Sequence, residues 1–252
     1  MERIVTLTDK TNIYARIFEP GEPETGVSIV IANSLFSENK YSRNFLINNA
    51  RQLCGLGYQV LFFDYRGMAE SKGQSSSMNM ESMSEDIRTA ISYIRSESVK
   101  HIVLIGFRGG AIPVLSLAQD TSIGLVVLWE PVKKGSELIR FRNLIPMKER
   151  SFSSENNSSE ADRNINIGGW DINPGFCEEL KHWKLDEQIR TLNTDKLYGV
   201  NFGPAAKTAP KNTSADNYSV GCVDSDKFWH FGSSQLLLTP VELTDTRIRK
   251  ML

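Results

Sequence analysis

The sequence predicts an α/β protein with a mostly parallel sheet, and two observations support that fold class. Short apolar segments rich in β-branched residues recur at 27–31, 58–64, 101–105 and 124–129, which is typical of strands buried on both faces. Segments with apolar residues at helical spacing lie between them. Alternation of strands and helices implies parallel strands joined by right-handed crossovers.

The predicted elements follow a regular order up to about residue 130. Two initial strands are joined by a turn at 8–11. The clearest helix covers 80–97, where Met83, Ile87 and Ile91 share one face. The full order is strands 3–7, 12–18 and 27–31, helix 39–56, strand 58–64, helix 80–97, strand 101–105, helix 110–119 and strand 124–129.

Residues 131–195 interrupt this alternation. Lysines and arginines cluster between 133 and 150, a polar tract follows, and an amphipathic helix is expected near 174–190. We interpret 131–195 as a cap inserted into a single domain, 1–252, and not as a second domain. The basic cluster could bind phosphate or the acidic face of a carrier protein, or it could be a solvated helix face. The chain continues with strands at 196–202 and 218–223 and a short helix near 242–252.

Composition excludes several classes of function. With 252 residues, of which 40% are hydrophobic, the chain can build a core and is not disordered overall. Its formal net charge of -1 argues against a nucleic-acid partner. No apolar run approaches the roughly 20 residues of a membrane span, and the N-terminus lacks a signal-peptide pattern. The three scattered cysteines favour a reducing, cytoplasmic location, and neither a metal nor a cofactor is expected.

The most informative segment is Gly106-Phe107-Arg108-Gly109-Gly110, directly after a predicted strand. A strand, a sharp glycine-flanked turn and a helix form the context of the G-x-S-x-G nucleophile elbow of α/β-hydrolases. An ordinary glycine-containing loop between strand and helix is the alternative. The central residue here is Arg108, and a guanidinium stays protonated and cannot attack as a nucleophile. If the segment is an elbow, the acyl-serine mechanism is excluded.

Two roles are open for Arg108. At a helix N-terminus, an arginine adds to the positive end of the helix dipole and could bind a carboxylate or phosphate of a ligand. Alternatively it forms a structural salt bridge, with Glu38, Glu130 or Asp224 as candidate partners. We therefore expect an anion-recognition or charge-organising residue at the floor of the site.

Other candidate catalytic residues lie in loops expected to meet at the same sheet edge. Glu38 follows the strand 27–31 and could carry a proton or neutralise Arg108, and Arg43 could converge on the same place. His230 is placed as the late histidine of the fold and could be a general base oriented by Asp224. The alternative for Glu38 and Arg43 is a pair of solvated side chains in the first turns of a helix, and for His230 it is a surface or interface histidine beside Trp229. Asp226 also closely precedes His230 and could be the acid, and Asp216 is a further candidate with weaker support.

Substrate-binding residues are expected around the carboxyl ends of the central strands, where α/β sheets build ligand sites. The loop after strand 27–31 normally contributes a backbone N–H to the oxyanion hole. Cys177 and Cys222 are interpreted as buried, inert thiols. The residues assigned to substrate binding are Ser34, Leu35, Phe36, Arg43, Phe107, Gly109 and Trp129.

The motifs together resemble the α/β-hydrolase-fold proteins called hydrolase 2 of the exosortase A system. Phe36-Ser37-Glu38-Asn39-Lys40-Tyr41-Ser42-Arg43 is similar to the family's segment after its first central strand, and Asp64 to Ser71 is similar to its Asp-x-x-Gly-x-Gly-x-Ser turn. Gly106 to Gly110 resembles its Gly-Leu-Arg-x-Gly elbow, and Leu128-Trp129-Glu130-Pro131-Val132 its Leu-Trp-Gln-Pro-Val segment. Gly168 to Pro174 loosely resembles the family's Gly-Tyr-x-Leu-Ser-Pro segment, and Phe228-Trp229 is similar to its Phe-Trp pair.

This resemblance implies an α/β-hydrolase fold, Arg as a family feature of the elbow, and a link to envelope polysaccharide or natural-product pathways. Two functional hypotheses follow. The first is an enzyme acting on an acyl or carboxylate-bearing small molecule, free or carrier-bound, without a serine nucleophile, by hydrolysis or by a non-hydrolytic cyclisation or elimination. The second is a pseudoenzyme that acts as a binding or scaffold protein. Either form could be an oligomer.

Overall fold

The structure is a computed structural model that describes residues 1–7, 12–21, 25–95, 99–140, 164–202, 218–223 and 239–251. Its centre is an eight-stranded sheet in the order β1-β2-β4-β3-β5-β6-β9-β10. The first two strands are antiparallel to their neighbours and the other six run parallel. The strands are β1 Glu2–Leu7, β2 Ile13–Phe18, β3 Val27–Ala32, β4 Gln59–Phe63, β5 His101–Phe107, β6 Leu125–Trp129, β9 Leu197–Phe202 and β10 Tyr218–Val223. The predicted mostly parallel sheet is confirmed.

Helices cover both faces of this sheet. They are α1 Ser37–Gly55, α2 Met80–Ile94, α3 Ala111–Ser116, α4 Pro174–His182, α5 Leu185–Thr191 and α6 Thr239–Met251. In the fully buried strand β3, Val30 packs in the core that includes Ile87 of α2, whereas Ile31 packs in the core that includes Leu46 of α1. Because alternate residues of a strand face opposite sides, each central strand supplies both cores. Within the described residues, no helix is both long and apolar enough to cross a membrane.

The described parts of 131–195 contribute to the core on the α2 side. They comprise a 3-10 turn at Gly135–Glu137, the hairpin β7 (Ile165–Ile167) and β8 (Trp170–Ile172), and the helices α4 and α5. Ile167 and Phe176 belong to the same buried cluster as Ile87.

The single helix expected near 174–190 is interrupted, which corrects that prediction. Residues 183–185 extend to pair with the segment that leads into the turn at Gly135–Glu137. Gly135 N–H donates to the Trp183 carbonyl at 3.0 Å, and Leu185 N–H donates to the Lys133 carbonyl at 3.0 Å. A strand-like tertiary pairing therefore replaces the local helical hydrogen bonds at this point.

Candidate functional site

The segment Gly106–Gly110 forms a sharp turn between β5 and α3. Arg108 has a φ of 50°, a left-handed conformation that is uncommon for residues other than glycine and clusters at functional sites. A Cβ added to Gly110 would lie 2.4 Å from the carbonyl oxygens of Ala32 and Asn33. Because Gly110 has no side-chain carbon, the start of the helical segment can approach the end of β3 closely.

The side chain of Arg108 is buried against Glu38 at the N-terminus of α1. Nη2 of Arg108 lies 3.0 Å from Oε1 of Glu38, and Nε donates to Oε2 at 3.3 Å. The two side chains are only 7% and 6% exposed. This two-point contact is the geometry in which arginine binds carboxylates most strongly, and it confirms Glu38 as a protein partner of Arg108.

Two further groups contact the guanidinium from the segment that follows β6. Nη1 donates to the carbonyl of Glu130 at 3.4 Å, and Nη2 lies 3.8 Å from Oε2 of Glu137. Glu130 has a φ of 44°, and its own carboxylate accepts a hydrogen bond from the N–H of Phe202 at 2.5 Å. Of the expected partners, Glu130 therefore contacts Arg108 through its backbone.

Ser34 links the ion pair to the backbone of the turn. Its hydroxyl donates to Oε2 of Glu38 at 2.7 Å and accepts from the N–H of Gly109 at 3.3 Å. Its own N–H donates to Oδ1 of Asn33 at 2.7 Å. A continuous chain of polar contacts thus runs from the guanidinium through the carboxylate and the hydroxyl to a backbone N–H.

Apolar side chains cover this polar chain. A Cβ on Gly109 would lie 3.0 Å from both methyl carbons of Leu138 and 3.1 Å from Cγ of Leu35. Phe36 meets Phe176 of α4 edge to face, with ring centroids 6.4 Å apart. Leu35 and Phe36 therefore lie where segment 131–195 contacts the rest of the molecule.

Phe107 and Trp129 lie in the opposite core, although the sequence assigned them to substrate binding. Both side chains are fully buried. Phe107 packs against Phe45 with ring centroids 5.6 Å apart, and Nε1 of Trp129 donates to Oγ1 of Thr244 in α6 at 3.1 Å. Packing against α1 and α6 accounts for both residues, because large aromatic side chains dominate core burial.

Arg43 does not reach Arg108, which corrects the expectation that the two converge. It forms an ion pair with the fully buried Asp64 after β4 and lies over the rings of Tyr14 and Phe62, at 5.1 and 5.4 Å from the centroids. Burial raises the pKa of Asp64, and Arg43 opposes that shift. This second pair connects α1 to β4 rather than to β5.

The remaining candidates are only partly described. His230, Asp224, Asp226 and Asp216 lie outside the described residues. Cys177 is buried, whereas Cys54 and Cys222 are partly exposed. In the described part of the chain, no group of three His, Cys, Asp or Glu side chains could hold a metal ion.

Glu137 is a contact of Arg108 that the sequence analysis missed. Its Oε1 accepts the N–H groups of Lys133 at 2.9 Å and Lys134 at 3.1 Å, while Oε2 faces the guanidinium. The only sequence signal is an acidic residue within a basic cluster. The contact depends on how this segment folds over β5, which local pattern does not encode.

A shallow cleft of about 280 Å³ lies at the opposite edge of the sheet. It is found at the amino ends of β3 and β4, and its lining includes Glu19, Ser28 and Gln59. Ligands of α/β sheets bind outside the carboxyl ends of the strands. The elbow, and not this cleft, therefore occupies the expected functional edge.

Comparison with known proteins supports the fold. Neither a family model nor a curated protein matches the chain. Among solved structures, the esterase domain of a Rhodothermus marinus protein is 19% identical, with a TM-score of 0.65 and coverage of 99% of this chain and 98% of that one. Est1E from Butyrivibrio proteoclasticus is 13% identical, with a TM-score of 0.65 and coverage of 99% and 98%. An α/β serine hydrolase without lid from Xanthomonas campestris is 14% identical, with a TM-score of 0.60 and coverage of 100% and 95%.

Proposed function

We propose that this α/β-hydrolase-fold protein acts on an acyl or carboxylate-bearing small molecule without a serine nucleophile at its elbow. The proposal depends on the position of Arg108 at the carboxyl end of β5. Arg108 is buried, has a left-handed backbone conformation and is paired with Glu38. Serine holds this position in G-x-S-x-G elbows. The structural neighbours named as esterases support acyl compounds as the substrate class.

The proposed roles follow from the contacts. In this fold the N–H of the residue after the central elbow position helps to stabilise an oxyanion, and here that group is the N–H of Gly109. A ligand oxygen would replace the hydroxyl of Ser34 on it. Arg108 would stabilise negative charge as it develops. Glu38, which already accepts a hydrogen bond from the hydroxyl of Ser34, or His230 with Asp224, would activate water or take a proton from the substrate in a cyclisation or elimination.

The resemblance to hydrolase 2 of the exosortase A system adds a biological setting to the proposal. It supports a cytoplasmic protein of a biosynthetic pathway whose substrate is free or attached to a carrier. The contacts of Leu138 with Gly109 and of Phe176 with Phe36 support 131–195 as a cap over the site.

A second candidate function is binding without turnover. Leu35 and Leu138 occupy the space next to Gly109, and the hydroxyl of Ser34 already bonds its N–H. A protein that kept the fold and lost the chemistry could fill its elbow in this way. This observation favours a binding or scaffold protein over an enzyme with an open oxyanion hole.

Turnover and binding assays separate the two candidates. Purified protein is incubated with p-nitrophenyl esters, an acyl thioester and short carboxylic acids, while product formation and ligand binding are measured. Turnover that falls in Arg108→Lys, which keeps the charge but loses the two-point fork, supports the enzyme. Glu179→Gln on the exposed face of α4 is the matched control. Binding without turnover supports the second candidate, and the absence of both contradicts both.

A further inference from the structure

We propose that Glu137 disfavours anionic ligands at Arg108, because its carboxylate lies 3.8 Å from Nη2, the atom that the anionic group of a ligand would contact. The proposal rests on the function proposed above. It assigns a specificity-determining role to a residue in the turn at Gly135–Glu137.

Among the residues that the structure describes, two carboxylates contact Arg108, and the two contacts differ in strength. Glu38 makes two hydrogen bonds at 3.0 and 3.3 Å and is 6% exposed, whereas Glu137 lies 3.8 Å away and is 31% exposed. Coulombic attraction weakens with distance and with the effective dielectric constant, which rises toward the solvent. Glu137 is therefore the partner that a ligand can displace at the lower cost.

The other oxygen of Glu137 has a separate anchor. Oε1 accepts the backbone N–H groups of Lys133 and Lys134 at 2.9 and 3.1 Å. These two bonds can persist when Oε2 moves away from Arg108. A ligand carboxylate can thus replace Oε2 on Nη2 while the turn keeps its shape.

The charge of Glu137 also makes this site less favourable for an anionic ligand than for a neutral one. A carboxylate ligand that approaches Nη2 is repelled by the negative charge of Glu137 close by, whereas a neutral amide of the same shape carries no net charge and is not repelled in this way. Two negative groups about 4 Å apart repel even in a high dielectric. Removing the charge of Glu137 should therefore favour an anionic ligand selectively.

Glu137→Gln tests this with butyrate and its neutral isostere butyramide as probes. Glutamine keeps an oxygen for the N–H groups of Lys133 and Lys134. Binding is followed by NMR titration of the whole protein. We expect butyrate to bind about fivefold more tightly than to wild type, with butyramide unchanged. The control Glu179→Gln makes the same charge change on α4 and should leave both affinities as they are.

The outcomes are distinguishable. Equal butyrate affinity in wild type and Glu137→Gln, or an equal gain in Glu179→Gln, overturns the role of Glu137 while the proposed function stands. No butyrate binding to any of the three proteins also overturns the role of Glu137, whereas the proposed function is judged by the turnover and binding assays described above. If Glu137→Gln does not fold, Glu137→Asp keeps the charge on a shorter side chain; butyrate should then bind no more tightly than to wild type, and a fivefold gain would contradict the proposal.

Discussion

A buried guanidinium and a buried carboxylate stabilise each other at the elbow, and each would be costly alone. Arg108 and Glu38 are both almost fully buried. Removing one partner of such a pair typically costs about 3–5 kcal/mol, because the other charge stays buried without compensation. Replacing both by apolar groups is often far less costly.

We expect Arg108→Ala to lower the free energy of unfolding by about 3–5 kcal/mol, measured by urea denaturation. The double variant Arg108→Met/Glu38→Leu should lose less than the single variant. Lys184→Ala is the control, because its partner Glu187 and Lys184 itself are about half exposed, and such pairs contribute at most about 1 kcal/mol. Equal losses in Arg108→Ala and Lys184→Ala would contradict the stabilising role of the buried pair.

Hydrogen bonds to the titratable carboxylate of Asp245 connect α6 to the residue before β4. Asp245 accepts a hydrogen bond from the hydroxyl of Tyr58 at 2.6 Å and from Nε of Arg249 at 2.8 Å. Burial acts to raise the pKa of Asp245, but the hydrogen bonds from Arg249 and Tyr58 outweigh it, and the pKa is lowered. The contribution to stability is therefore present above the unfolded-state pKa, about 3.9, and is lost as the pH falls through the folded-state pKa.

Asp245→Asn should consequently destabilise the protein at pH 7 and much less in acid. Unfolding free energies measured from pH 7 down to about 2.5 should show the curves of variant and wild type converging below about pH 4. Glu179→Gln, which removes a carboxylate at an exposed site of α4, is the comparison variant. A loss in Asp245→Asn that is constant across this range would show that the ionised carboxylate is not the stabilising form.

Sequence reasoning at the level of residues succeeded where the sheet edge brings loops together. Glu38 follows β3 and Arg108 follows the neighbouring β5, so their meeting could be expected from parallel topology. The expectation that Arg43 converges on Arg108 was wrong because Arg43 lies five residues beyond Glu38 on α1. Five residues of helix turn the direction of a side chain by about 140°. Arg43 therefore faces β4, on the other side of β3.

At the level of elements, the close crossing of β3 and the start of α3 depends on the glycines of the elbow. A Cβ on Gly110 would meet backbone oxygens at 2.4 Å, whereas a Cβ on Gly109 would meet the side chains of Leu138 and Leu35 at 3.0–3.1 Å. Side chains can shift by a few tenths of an ångström, but the end of a central strand cannot do so without disturbing its neighbours.

Gly110→Ala should therefore destabilise the protein by about 3 kcal/mol or more, and Gly109→Ala by about 1 kcal/mol. Denaturant unfolding of both variants measures the difference. Each change adds one methyl group in adjacent positions, so each serves as the control for the other. A Gly110→Ala variant as stable as Gly109→Ala would show that the helical segment does not need this approach.

Element boundaries show why local patterns predict helices less well when tertiary pairing competes. The apolar spacing of 174–190 is continuous enough for one helix, yet the chain extends at 183–185 to pair with 133–135. By contrast, α2 begins at its predicted first residue, Met80, because Asn79 and Ser82 form a capping box that is local in sequence. Local sequence signals can therefore determine where a helix begins, whereas pairing with a distant segment can interrupt it.

At the level of the whole molecule, the alternation of buried strands with amphipathic helices was sufficient to predict the sheet. The all-buried pattern of β3 and the near-complete burial of β5 leave room only for central positions in a sheet covered on both faces. Reactivity could not be deduced in the same way, since one fold hosts many reactions. The proposed function excludes one reaction, the acyl-serine mechanism, because Arg108 would hold the position of the nucleophile.

We expect fluorophosphonate reagents, which label activated serines, to leave the protein unlabelled, as measured by intact-protein mass spectrometry beside an active serine esterase as the positive control. Arg108 offers no hydroxyl, and the fully buried Ser34 is bonded to Glu38 and Gly109. Arg108→Ser should not become an efficient esterase either, because a new hydroxyl also needs an aligned base, and Glu38 would lose the guanidinium that compensates its buried charge. Stoichiometric labelling of any serine in the wild-type protein would show that a nucleophile exists elsewhere and that the elbow does not define the chemistry.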